Sequence, residues 1–258
     1  MERSELPLEV REDVWKIVEE FQKIIDVPIE YDPTWNNGKV TKNVSAQFVL
    51  NDIGKPSIVY YTKKISEQTI AHEILHAKRI INKFFILRNN TNEKVMSTTI
   101  VNFGNVIEHI IVYEWLKKLG FNIRLECIKG WKEFNDILTN DLNNPKTDIS
   151  KKLLKLLGTK HMLSGIINGV DITEIKEKSH PKIKKYLHIG EEIYNESKKY
   201  DLENHKENFE FLLKLSSILN LTTKEARIQT GDFESGKFYY LDPTTGKSIG
   251  IFSTRPIA

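Results

Sequence analysis

Residues 69–78, TIAHEILHAK, place His72 and His76 four apart with Glu73 directly after the first. The reading turns on whether this is a helix built around a metal or one that carries two ordinary histidines. On a helix, positions four apart share a face one turn apart, so two imidazoles can converge on one ion at the roughly 2.0–2.1 Å that zinc–nitrogen bonds require. Glu73 lies one step around, beside such an ion rather than on it, where a carboxylate can take a proton from a water at the metal. Ile70, Ala71, Ile74, Leu75 and Ala77 around them are uncharged, so no side chain competes for the ion. Ser66 supplies an N-cap and Glu67 suits the positive end of the helix dipole.

Outward from this helix, the preceding chain changes period. Residues 8–25, LEVREDVWKIVEEFQKII, space Val10, Val14, Ile17, Val18, Phe21 and Ile25 at helical intervals between charges, which predicts an amphipathic helix. VPIEY (27–31), VSAQFVL (44–50) and SIVYYT (57–62) read as short strands divided by the turn-rich DPTWNNGK and NDIGKP. The expected order is helix, three strands, motif helix.

After a polar loop at 88–94, residues 96–120 read as a long helix ending at Gly120. Apolar residues surround nearly the whole of it, yet Asn105, Glu108 and His109 sit in its middle, on one stripe with Val112. A buried carboxylate needs a partner, and an ion pair or a metal is the economical one. Either Glu108 or His109 can complete two histidines into the three-ligand pattern of catalytic zinc, and Glu108 is the favoured choice. The competing possibility is a structural hydrogen bond between the helices, with a carboxylate fixing the tautomer of a ligating histidine. Asn105 is a supporting candidate in either case.

Composition limits the alternatives. A net charge of +3 lacks the concentrated positive charge of a nucleic-acid binder, and no uncharged apolar run of membrane-spanning length stands out, so a cytoplasmic protein is expected. The single cysteine, Cys127, excludes a cysteine-based zinc cluster, and its thiol reads as packing. From residue 122 onward the pattern is mainly helical, with Lys-rich outer faces in 149–158 and 180–200. GKFYYLDPTTGKSIGIF (236–252) then reads as a β-hairpin.

The pairing of TIAHEILHA with NVIEHIIVYEW resembles the zincin metallopeptidases over roughly residues 10 to 120. That family joins a small sheet to an HExxH helix and a following helix that supplies the third ligand. The resemblance implies an α+β fold: a small, mostly antiparallel sheet with the two metal helices in residues 1–121, then a mainly helical region over 122–258 with a hairpin near 237–252. It also implies a Zn2+ site of His72, His76 and Glu108, the last by likeness to the glutamate-type branch, with Glu73 as general base. The substrate would be a protein or peptide. The opening helix and strands are similar to the ImmA/IrrE group, which acts on repressor proteins, although Lys78 replaces the hydrophobic residue often found after the motif. In a zincin, the strand at 57–62 would be the sheet edge along which a peptide adds a strand, with Tyr60 and Tyr61 on opposite sides. Tyr113, His161 or His109 could donate to a developing oxyanion. His161 otherwise reads as a surface or cap residue, and His180, His188 and His205 as solvated.

Two other functions compete with a peptidase. A metal-retaining zincin scaffold could bind a partner without cleaving it, but binding alone gives no reason for a base at Glu73. The Lys-rich faces could meet nucleic acid, but they carry no aromatic stacking platform and an ordinary solvated face explains them.

Overall fold

Val14, Trp15 and Val18 are buried on one side of helix α1 (Glu12–Gln22), the face that their spacing selects. The computed structural model describes residues 10–22, 29–31, 46–50, 56–60, 66–122, 124–144, 149–232 and 236–253. The three expected strands follow as β1 (Ile29–Tyr31), β2 (Ala46–Leu50) and β3 (Pro56–Tyr60). Their order is β1-β3-β2, with β3 parallel to β1 and antiparallel to β2. This corrects the role expected of residues 57–62: Ile58 is paired with Ile29 on one side and Phe48 on the other, so β3 is the middle strand and not a docking edge. Tyr61 lies outside the described residues.

Helix α2 (Glu67–Ile81) carries the motif. Ser66 caps it, its Oγ accepting from the Thr69 N–H at 3.2 Å, and the Arg11 N–H donates to Glu67 at 2.6 Å, tying α2 to the start of α1. Ile70, Ala71, Ile74, Leu75 and Ala77 are all buried, so the uncharged residues between the histidines form the packing face of the helix. Next comes strand β4 (Ile86–Asn89), so Arg88 and Asn89, expected at the start of the polar loop, instead close a strand paired with a later one.

Helix α3 (Lys94–Lys118) is the central helix, packed on α2 and β4. Gly104 permits the close approach to the strand, since a Cβ there would lie 2.7 Å from the Leu87 carbonyl oxygen. Gly120 ends the helix as expected, with φ of 77° and its N–H donating to the Lys117 carbonyl at 2.8 Å. By length and composition α3 could cross a membrane, but more than half of its most apolar stretch is buried inside the protein, as in a core helix.

Helices α4 (Arg124–Asn143), α5 (Lys151–Ile167), α6 (Ile172–Lys178), α7 (Pro181–Lys184), α8 (Leu187–Ser197) and α9 (His205–Leu219) complete the helical part. Strands β5 (Ala226–Asp232), β6 (Lys237–Leu241) and β7 (Ser248–Ser253) end the described chain. The last two form the expected hairpin, its turn held by Asp242, which accepts the N–H groups of Thr244 and Thr245 at 2.7 Å each. β5 pairs with both the hairpin and β4, giving an antiparallel sheet of order β4-β5-β6-β7. The fold is α+β and mostly helical, with nine helices among the described residues. One apolar cluster runs from Val10 to Phe238, so residues 1–121 and 122–258 contribute to a shared core as well as a shared sheet.

His161 departs from its expected surface position. It is fully buried in α5, stacked on Trp131 with ring centroids 4.8 Å apart, and neither ring nitrogen has a hydrogen-bond partner. Its stripe of α5 is covered by α4, and no charge pattern in the sequence announces that burial. His188 and His205 are exposed, whereas His180 caps α7 by accepting from the Lys182 N–H at 3.2 Å.

Candidate metal centre

α2 presents His72 and His76 one turn apart, and α3 brings His109 against them. The three ring centroids are separated by 4.8, 4.9 and 5.1 Å, nearly an equilateral triangle. One nitrogen from each ring falls within 4.8 Å of the other two, close enough for all three to hold a metal ion. The Nε2 atoms of His72 and His76 lie 3.1 Å apart. Two ligands bound at 2.0–2.1 Å in a tetrahedron stand roughly 3.3 Å apart, so this pair has the spacing of a shared ion.

Glu108 takes a different place from the ligand position expected of it. Its Oε2 lies 3.0 Å from Nδ1 of His76, the nitrogen on the far side of the ring from the cluster. The carboxylate is buried, which by itself would push it toward the neutral acid. The hydrogen bond from His76 and the fields of Arg79, His76 and Arg88 outweigh that and hold it well below the usual carboxylate range. An ionised Glu108 accepts the Nδ1 proton, leaving the Nε2 lone pair of His76 free to face His72 and His109. Glu108 and His109 are neighbours on α3 but about 100° apart around it, so one reaches the back of His76 while the other joins the triangle.

Burial sets the charge state of the cluster. Desolvation, with the field of His76, lowers His72 to about 3. His109 is likewise far below the ordinary imidazole range, through burial first and the fields of His72 and His76 next. Neutral imidazole is the form that binds a metal, so neither His72 nor His109 has a proton to displace at neutral pH.

Glu73 sits where the helix geometry places it, its Oε1 4.0 Å from Nε2 of His72 and outside the three-histidine group. Tyr113 forms a wall of the site. Its ring lies 4.7 Å from that of His109 at 11° and 5.7 Å from that of His72. Burial, a hydrogen bond with Cys127 and the nearby Glu73 raise its hydroxyl above the normal range, so it stays protonated. Cys127 therefore touches the site through Tyr113, beyond the packing role read from sequence. Past Tyr113 a cleft of about 580 Å3 opens between α3, the end of α5 and α8, walled by Ile110, Ile167, Tyr194 and Tyr200.

Asn105 is exposed, on the same open stripe of α3 as Thr98 and Asn102, and does not support the cluster. The stripe runs from solvent into the core and meets it at half-buried His109. One residue was missed from sequence altogether: Arg79, fully buried on α2 and coupled electrostatically to Glu108. Its spacing, three residues after His76 and seven after His72, puts it on the histidine side of the helix, but nothing in the sequence marks that position as buried. No family model matches the chain, and neither a curated protein nor a solved structure is significantly similar to it.

Proposed function

We propose that the protein is a zinc-dependent metallopeptidase. The observation that carries this reading is the three-histidine triangle with Glu73 immediately beside it. Metal binding alone needs the triangle, whereas the adjacent carboxylate is the group that hydrolysis adds. His72, His76 and His109 would hold the ion, a set of three protein ligands as in catalytic zinc sites, and Glu108 orients His76. Bound zinc supplies Lewis acidity toward a carbonyl and makes water acidic enough to react at neutral pH. Glu73 takes the proton from that water and returns it to the departing amine. Tyr113, kept protonated, donates to the oxygen on which negative charge develops. The substrate is a protein or peptide, with the cleft beyond Tyr113 as the adjoining concave surface.

Glu73→Gln keeps size and hydrogen bonding but cannot accept the proton. The variant should retain its metal and melting temperature while losing cleavage of a peptide library or of the host's proteins by about 10²- to 10⁴-fold. Equal cleavage by parent and variant, or none by either, would leave a metal-bearing binding module as the function.

A further inference from the structure

Strand β7 (Ser248–Ser253), SIGIFS, is a terminal strand of the four-stranded sheet, and no ladder runs along its outer side among the described residues. A bare edge offers a row of unpaired N–H and C=O groups to any strand that can match it, and is usually shielded by charge, by proline or by a covering helix. At the opposite end of the sheet, β4 carries Arg88 and packs against α3. β7 has neither charge nor proline, and its Ile249, Ile251 and Phe252 are 46%, 63% and 50% exposed. With Tyr239 they are four of the seven exposed large apolar side chains among the described residues, so the exposed apolar surface gathers at this edge.

The pattern within β7 says what fits it. Tyr239 is paired with Ile251, and Ile249 lies two residues along the strand, so these three share one face of the sheet. Phe252 is on the other face, paired with buried Phe238. Ile249 and Ile251 flank Gly250 symmetrically. A second β7 running antiparallel about a twofold axis at Gly250 therefore sets Ile249 of each strand opposite Ile251 of the other, on the Tyr239 face. Lys247 falls opposite Ser253 in this register, so no like charges meet. Twofold contacts of this kind close after two copies and are the commonest in homo-oligomers. A peptide substrate fits the edge less well, because β5, two strands away, is the strand of this sheet that packs on the motif helix.

We propose that β7 is the interface of a homodimer, in which two copies join edge to edge, antiparallel about Gly250, and merge two four-stranded sheets into one of eight strands. Main-chain hydrogen bonds hold the pair together, and the isoleucines packed across the axis fix its register. This interface is independent of the metal centre and of peptide cleavage.

The test measures the mass of the full chain in solution by sedimentation over a range of concentrations, and maps the contact with introduced cysteines. The parent should weigh twice the 30.0 kDa of one chain. Ile251→Lys, at a position already 63% exposed, should bring the mass down to one chain with no loss of melting temperature. Gly250→Cys has room, since an added Cβ would meet the Tyr240 ring at an ordinary 3.8 Å. Directly opposed Cα atoms in an antiparallel ladder stand about 4.5–5.5 Å apart, within reach of a disulfide. Mild oxidation should therefore link Gly250→Cys chains through residue 250, as identified by peptide mass. Ser248→Cys should not link, because its two copies would lie about 14 Å apart in this register.

A parent that is monomeric at every concentration overturns the proposal and leaves the edge to a different strand. A dimer that survives Ile251→Lys, or one that Ser248→Cys links as readily as Gly250→Cys, overturns it as well. The parent mass needs no variant, so it decides even where a substitution disturbs folding.

Discussion

Glu108 and His109 are consecutive residues in different places, one behind His76 and the other in the three-histidine group close enough to hold a metal. His109→Ala should therefore lower zinc affinity more than Glu108→Gln, whose loss is expected at about 10- to 100-fold by titration against a competing chelator. The opposite order would return the ligand position to the carboxylate. The sequence shows that both residues are polar in an apolar helix, and so marks the site. It does not show which of them faces α2, because that depends on the rotation of α3 about its axis, set by Ile100, Phe103, Ile107 and Ile111 packing in the core. His72, His76 and Glu73 were legible because their relation lies within one helix and follows from 3.6 residues per turn. Arg79 was not, since burial is invisible for a residue that ends an amphipathic helix among Lys78, Ile80 and Ile81.

The position of α3, and with it His109, is set at the scale of elements by its contact with β4. At Gly104 an added Cβ would meet the Leu87 carbonyl oxygen at 2.7 Å, a backbone atom held in a sheet ladder. Gly104→Ala should thus destabilise the protein by about 1–3 kcal/mol in denaturant unfolding, although alanine is the better helix former. A stable or stabilised variant would mean that helix and strand are not locked at this point. The pairing behind that lock is non-local. β4 and β5 lie far apart in the chain, and neither alternates clearly enough to predict a partner, whereas the β6–β7 hairpin is announced by its own turn residues. The strand before the motif helix could be read as a strand, but not as a central one, because strand order is decided by which neighbours fit on both sides.

For the molecule as a whole, buried titratable groups make stability depend on pH. His161 is fully buried and lowered to about 4 by desolvation, with the field of Lys160 adding to it. Between that value and the ordinary 6.5 the unfolded chain binds the proton more readily, so stability is lost as pH falls through this window, by an amount on the order of 3 kcal/mol. In metal-free protein His72 and His109 act in the same direction. His161→Phe removes one contributor and the two unpartnered nitrogens, so its unfolding free energy should fall less steeply than the parent's from pH 6.5 to 4. Equal slopes would mean that His161 is not buried as described. The central claim is the three-histidine metal centre, and X-ray absorption at the zinc edge on purified, zinc-loaded protein tests it most directly. One equivalent of zinc with three imidazole nitrogens at about 2.0–2.1 Å is the expected result. Substoichiometric metal, or two imidazoles with a carboxylate oxygen in place of the third, would contradict it.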